Sequence, residues 1–543
     1  MPETIPELLA EAANRDPDGI WLRTDDGSAT FGGAAGHVGA VAERLRSAGV
    51  RHGDLVLLTA RTTPPYLFCW LALSALGAVS VSTNPRSTAA ELGGLIEQTK
   101  PRAIVTDAEL MPLITQTGAA PERGVSGHGG SGGPPGGAPW RPGGAEFGVL
   151  DVDALAGDWL HAFAAAGTVA SARVGPGDVA ALIPTSGTTG RSKLVMQTHR
   201  AYVMAGEGFP YWMELTASDR LMTSLPLFHI NAPAYSVMGS LACGAGLVLL
   251  PRFSASGFLD SARRHGATEF NAIGAMLEIL MRQPERPGDA DTPLRLCYTG
   301  PAPSRERQEE IERRFGLRIV CGYAMSETPY GLIWPRGTRP FGTLGAPRQH
   351  PQLGTVNEAR VVAEDGRDLG AGESGELLLR NPAVTPGYWQ MPEETASLKI
   401  DGWIRTGDLV TVNSDGTYTF VARKKEVLRR RGENLSPLEV EEVLAAHPSV
   451  QECAVVGVPS ELSEEEVKAF VVPAPGQRLD FAELRSWAAQ RLAAFKVPRY
   501  WEEISRLPRT PTTRIAKHRL PQGHTPGEYD AEAARPADRQ DAP

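Results

Sequence analysis

Short, mostly apolar runs punctuate the chain and are separated by longer amphipathic stretches. The runs at Asp54–Thr59, Arg102–Thr106, Val179–Ile183, Gly246–Leu250, Glu269–Ile273 and Leu294–Tyr298 are of strand length. They read as buried strands. Helical stretches between them predict strand–helix alternation, and so an α/β fold of mostly parallel sheets covered by helices. Tyr66–Thr83 is nearly all apolar, but it is shorter than a membrane span and carries Ser74, Gly77, Ser80 and Ser82. It predicts a buried helix running into a strand before Asn84-Pro85. From 340 to 422 the runs shorten between Gly/Asp turns, as at Gly375–Arg380 and Thr417–Val421, which predicts a small β-rich subdomain. A compact α+β pattern follows, with a helix over Pro437–Ala446 capped by Ser436 and strands at Glu452–Val458 and Val467–Val472. The Gly/Pro-rich stretch at about 118–148 reads as a surface insertion, and the polar tail 521–543 as disordered.

Length and composition narrow the class. At 543 residues, the chain is too long for one core. Its net charge of −9 argues against a general nucleic-acid binder, which needs a basic face. Five scattered cysteines, never spaced as CxxC, fit reduced thiols in a cytoplasm better than a disulfide frame or zinc site. The acidic N-terminus carries no signal-peptide pattern.

The chemistry begins at Thr185-Ser-Gly-Thr-Thr-Gly-Arg-Ser-Lys193, directly after an apolar run. Glycines let the backbone approach a ligand, consecutive N–H groups and hydroxyls cradle phosphate oxygens, and Lys193 adds a point charge. The spacing is not that of a Walker A loop. Alone, such a loop is also compatible with plain surface structure. Further on come Leu225–Asn231, which contains His229, then Gly300-Pro-Ala-Pro303 and Gly322-Tyr-Ala-Met-Ser-Glu-Thr328. Asp401–Asp408, Arg423-Lys-Lys425 with Gly432-Glu-Asn434, and Lys496-Val-Pro498 follow.

In order and spacing these motifs resemble the adenylate-forming superfamily, in particular its acyl-CoA ligases of the crotonobetaine/carnitine-CoA ligase type. The resemblance implies an N-terminal adenylation domain over 1–422 and a mobile C-terminal domain over 423–520. It implies ATP, Mg²⁺ and coenzyme A as cofactors or co-substrates, and a small-molecule acid as partner. Thr185, Ser186, Gly187, Thr188, Thr189, Gly190 and Lys193 match its phosphate loop. Gly300, Pro301, Ala302 and Pro303 match the loop lining the adenine pocket. Tyr323 matches the residue that stacks on adenine, Ser326 a phosphate contact and Glu327 the Mg²⁺ ligand. Asp408 and Arg423 match the ribose contacts, His229 a gate at the acyl pocket and Lys425 the hinge between half-reactions.

One motif departs from the family pattern. The family closes on Gly-Lys, and that lysine bridges carboxylate and α-phosphate; here Thr513 and Arg514 occupy those places. Arginine keeps the charge but is a planar fork. Lys517 follows three residues later, on the opposite face if the segment is extended. Arg514 is therefore the expected substitute and Lys517 the runner-up. Ser192 and Leu194 also stand where proline and glycine are usual. The altered lysine keeps two further readings open. One is an ATP-dependent diazotase that activates nitrite to diazotise an aromatic amine in an antibiotic-type pathway. The other is a nucleotide binder without catalysis.

Overall fold

A computed structural model of the chain describes residues 1–117, 148–160, 174–185, 192–300, 302–424, 426–430, 433–460, 465–509 and 515–532. The expected insertion, apart from residue 148, lies outside the described residues. So do Ser186–Gly190, Pro301, Lys425 and Arg514.

Two sheets dominate the first part of the chain. In one, the strand order is 148–151, 103–106, 55–59, 79–82, 179–185 and 193–198. Its pairings are parallel up to Val179–Thr185, which then turns back antiparallel onto Lys193–Thr198. The second sheet runs 346–347, 328–333, 318–325, 296–299, 269–271, 220–223, 246–249, 20–23 and 28–30. Its centre is parallel and both edges are antiparallel. Tyr66–Thr83 behaves as its apolarity predicts. The helix Pro64–Leu76 is buried from Pro64 through Ala75. It stops at Gly77, whose φ of +68° is left-handed backbone that glycine adopts without strain, and the strand Val79–Ser82 follows. Among the described residues no helix is long and apolar enough to cross a membrane, and all five cysteines are free.

Strands Glu358–Val362, Ser374–Arg380, Trp403–Val412 and Tyr418–Arg423 form the expected β-rich stretch. The C-terminal α+β part is a sheet of Val450–Pro459, Glu465–Pro473, Tyr500–Glu503 and Tyr529–Asp530, with helices Pro437–Ala445 and Phe481–Ala489. Its core is Leu428, Val440, Leu444, Val455, Val467, Val471, Leu484 and Trp501. Ser436 occupies the N-cap of the first helix without a side-chain cap bond.

Residues 521–532 correct the expectation of a disordered tail. Tyr529–Asp530 pairs antiparallel with Tyr500–Trp501. Tyr529 stacks on Phe481 at 5.7 Å. The fully buried Lys468 reaches Glu528 at 2.6 Å and Glu502 at 2.8 Å. A buried ammonium needs its carboxylates, and that demand orders a segment whose composition alone reads as unstructured. Residues 533–543 lie outside the described residues. By compactness the chain forms two units. The larger is 1–360, 378–406 and 413–419; the smaller is 361–377, 407–412 and 420–543.

One core residue makes a direct stability prediction. Glu269, in a central strand of the larger sheet, is fully buried, and neither carboxylate oxygen has a hydrogen-bond partner among the described residues. Burial, aided by the charge of Asp219, pushes its carboxyl well above the usual range. The folded state therefore holds the proton longer than the unfolded chain does, and stability falls as pH rises above the ordinary carboxylate range. Glu269→Met, close in volume and apolar, is expected to gain about 1–3 kcal/mol at neutral pH. The gain should shrink as pH falls toward 4. Urea melts across pH check this; a variant less stable than wild type at pH 7.5 would contradict it.

Candidate active site

In the larger unit, backbone pairing fixes the ends of the Ser/Thr/Gly loop. Thr185 pairs with Lys193 across the hairpin, and its Oγ1 donates to Lys193 O at 3.2 Å. The loop residues between them, Ser186–Gly190, are outside the described residues, but the chain enters and leaves at one point. The Lys193 ammonium lies 4.7 Å from the centre of the Tyr388 ring, a cation–π distance. Tyr388 Oη donates to Glu327 Oε1 at 2.8 Å. Burial, with the neighbouring Glu327 charge, raises the Tyr388 phenol well above its ordinary value, so it stays a donor. Lys193, Tyr388 and Glu327 thus form one connected cluster.

Gly322–Thr328 is a β-hairpin turn. Strand Arg318–Met325 turns at Ser326-Glu327 into Thr328–Ile333, with Met325 paired to Thr328 and Tyr323 to Leu332. The turn is pinned from outside. Thr385 N donates to Glu327 O at 2.8 Å, and Gln197 Nε2 donates to Ser326 O. Tyr323 is half-buried, with its hydroxyl 3.9 Å from Met325 Sδ. Gly300 must be a glycine, because a Cβ there would collide with Gly322 O. Gly300, just after strand Leu296–Thr299, thus lies close against the backbone of Gly322 within strand Arg318–Met325. Ala302 and Pro303 lead to Ser304, whose hydroxyl caps the helix Arg305–Phe315. His229 stands just before the wide helical turn Ala232–Val237, its ring 4.4 Å from that of Phe228.

In the smaller unit, Asp408 is 1% exposed and its Oδ1 lies 2.9 Å from Arg423 Nε. Arg423 is about half exposed and Asp408 almost wholly enclosed, an arrangement that presents a carboxylate and a guanidinium together. Lys517 does something else. Its Nζ sits 2.7 Å from Glu441 Oε1, with Glu426 at 3.8 Å. Glu441 is largely buried and also accepts from Val455 N at 2.7 Å. Lys517 starts a 3₁₀ turn, Lys517–Arg519, and Arg509 pairs antiparallel with Ile515. Extended-strand parity therefore does not decide where Lys517 points; its carboxylate partner does.

Sequence reading missed Tyr388. Its signal was the dipeptide Gly387-Tyr388. Gly387 has φ +144°, and a Cβ there would press on Thr395, so the turn that aims Tyr388 at Glu327 requires glycine. Gln197 carried no signal: it reads as an ordinary strand residue.

The arrangement can bind a nucleotide, with an acidic turn and an adjacent cation beside the strand ends of an α/β sheet. Comparison with known proteins agrees. The family described as AMP-binding enzyme matches residues 9–389, and its C-terminal domain matches 439–514. The chain belongs to the AMP-binding enzyme family and is an AMP-forming ligase. It is 32% identical over 490 residues to the crotonobetaine/carnitine–CoA ligase of Salmonella typhimurium strain LT2, covering 87% of this chain and 89% of that one. Among solved structures, ATP-bound MatB from Rhodopseudomonas palustris superposes with a TM-score of 0.80 at 27% identity, over 95% of this chain and 98% of that one. An anthranilate CoA ligase in complex with anthranoyl-AMP gives a TM-score of 0.81 at 24% identity, over 96% and 97%, a likeness in fold.

Proposed function

We propose that this ligase activates a small carboxylic acid as its adenylate and passes the acyl group to coenzyme A. One acid oxygen attacks the α-phosphorus of ATP and pyrophosphate leaves. The thiol then attacks the acyl carbon and AMP leaves. The observation that supports this most is the Lys193–Tyr388–Glu327 cluster, set at the mouth of the Ser/Thr/Gly loop in a chain that matches the family over both its parts.

Each residue has a role in this reading. The loop Thr185–Gly190 and Lys193 follow the β- and γ-phosphates as charge builds on the leaving group. Tyr323 stacks on adenine beside Gly300–Pro303, and Ser326 touches phosphate. Asp408 accepts from the ribose hydroxyls with Arg423 alongside. Arg514 bridges the acid and the α-phosphate, and His229 shapes the acyl entrance. Lys425 is the pivot between a domain over 1–422 and one over 423–520. A Mg²⁺ ion suits this donor set. Glu327 offers a hard oxygen, Oε2, which takes no hydrogen bond among the described residues, and no cluster of three or more metal-type side chains occurs there. That matches an ion held by one carboxylate and substrate phosphates. When bound, it would neutralise the charge on the phosphates. The five free thiols support a reducing, cytoplasmic setting. No comparison favours nitrite activation.

Acid-dependent exchange of labelled pyrophosphate into ATP tests the first half-reaction by itself. Exchange that needs an added carboxylic acid supports the reading; exchange without any acid, or none with any, counts against it. Asp408→Ala is expected to raise the KM for ATP about tenfold, the worth of a charge-assisted hydrogen bond, with a smaller change in kcat. An unchanged KM would remove Asp408 from the ribose.

A further inference from the structure

Arg348 is fully buried, and its partners among the described residues are carbonyls and phenols, with no carboxylate. Its guanidinium is spent on three elements at once. Nη1 donates to Tyr235 Oη at 2.7 Å and to Pro329 O at 2.9 Å. Nε donates to Leu332 O at 3.0 Å, and Nη2 donates to Tyr298 Oη. Tyr235 Oη itself donates to Pro329 O at 2.6 Å. The guanidinium lies over Trp212 at 4.6 Å, Tyr235 at 5.0 Å and Tyr298 at 5.6 Å from the ring centres.

Each hydrogen-bond partner belongs to an element that adjoins or carries a motif. Tyr235 lies in the helical turn six residues after His229. Tyr298 lies in the strand that ends one residue before Gly300, and a Cβ on Gly322 would press against its ring. Pro329 and Leu332 lie in the return strand of the hairpin that turns at Ser326-Glu327. A buried charge without a counter-ion is costly unless hydrogen bonds saturate it, and a core needing only packing would be served by an apolar residue. A planar fork with five donors is the side chain able to hold two carbonyls and two phenols at once.

We propose that Arg348 is a positioning residue that sets the His229 turn, the Gly300 loop and the Tyr323–Glu327 hairpin relative to one another. It touches no substrate. Its effect lies in alignment, where small misplacements cost rate steeply. The inference rests on the proposed adenylation reaction for its kinetic consequence, while the tie itself can be read without turnover.

The test compares Arg348→Met and Arg348→Lys with a control, Arg314→Met. Arg314 is likewise largely enclosed and donates to carbonyls, those of Met281 and Gln283, but it pairs with Asp289 at 2.9 Å and makes none of its hydrogen bonds to the three motif elements. Hydrogen exchange is followed in peptides covering 229–237, 296–300 and 322–333. Arg348→Met should speed exchange at least about tenfold in all three together, and Arg314→Met in none. With acid and ATP, Arg348→Met should lower kcat for pyrophosphate release 10- to 100-fold while the Kd for AMP moves less than about threefold. Arg348→Lys should stay close to Arg348→Met, because one ammonium cannot bridge three elements. Exchange that changes in one segment or none would overturn the proposal. So would a kcat loss no larger than the control's, an AMP Kd that rises in proportion as kcat falls, or full recovery by lysine. Failure of the adenylation reading would show separately, as a wild type silent toward every acid, and the exchange data would still decide the tie.

Discussion

Glu327→Gln is expected to slow pyrophosphate release about 10²- to 10³-fold, the usual worth of one preorganised electrostatic group at a reacting phosphate. The substitution keeps size and shape. It removes the negative charge that is proposed to hold Mg²⁺, and it leaves an amide whose oxygen still accepts from Tyr388 Oη, now 2.8 Å from Oε1. The fold should therefore be unchanged and the loss specific. Two measurements separate the causes. Raising Mg²⁺ should recover part of the rate, because a weakened site refills by mass action. Tyr388→Phe should cost less than Glu327→Gln, since it deletes one hydrogen bond and keeps the carboxylate. A Glu327→Gln enzyme with wild-type rate at sub-saturating Mg²⁺ would remove Glu327 as the metal ligand.

Arg514 and Lys517 should fail in different ways when removed. Arg514→Ala is expected to lower the rate of adenylate formation about 10²-fold or more, with little change in stability. Lys517→Ala is expected to act mainly on folding. It strips the partner 2.7 Å away from Glu441, whose carboxyl burial already pushes above its ordinary range and which Lys517 partly holds down. Leaving such a group unpaired costs about 3 kcal/mol. The sign with pH follows. The folded variant prefers the protonated Glu441, so its deficit should be largest at alkaline pH and should narrow as pH falls toward the ordinary carboxylate range. Stopped-flow pyrophosphate release and urea melts at pH 6 and 8.5 read both effects. A Lys517→Ala enzyme that is stable but slow, beside a fast Arg514→Ala, would mean that Lys517 is the bridging cation.

Much of the architecture is legible in the chain because a parallel strand buried on both faces leaves a continuous apolar run. Leu55–Thr59, Ala103–Thr106 and Gly246–Leu249 show it directly. The antiparallel partner Lys193–Thr198 was hidden because it begins inside a motif and mixes lysine and glutamine with its apolar positions. Tyr529–Asp530 was hidden because its order comes from long-range partners, Phe481 and the Lys468 carboxylate cluster. The same limit governs the candidate site. Residues inside short motifs with unusual composition, such as Glu327 and Asp408, announce themselves. Tyr388 and Arg348 do not: each gains its place from contacts reaching 61 and 113 residues along the chain. Lys517 shows the converse. Its type and nearness to the altered motif made it a candidate, and a carboxylate from a preceding helix claims it.

The most direct measurement of the central claim is product formation by the purified protein with Mg²⁺-ATP and coenzyme A across a panel of small aliphatic and aromatic acids, with a parallel arm of nitrite and an aminobenzoate. The account predicts an acyl-CoA thioester by mass spectrometry for at least one acid, with AMP and pyrophosphate formed in equal amounts to it. AMP release confined to the nitrite arm, or no nucleotide turnover in either arm, would contradict it.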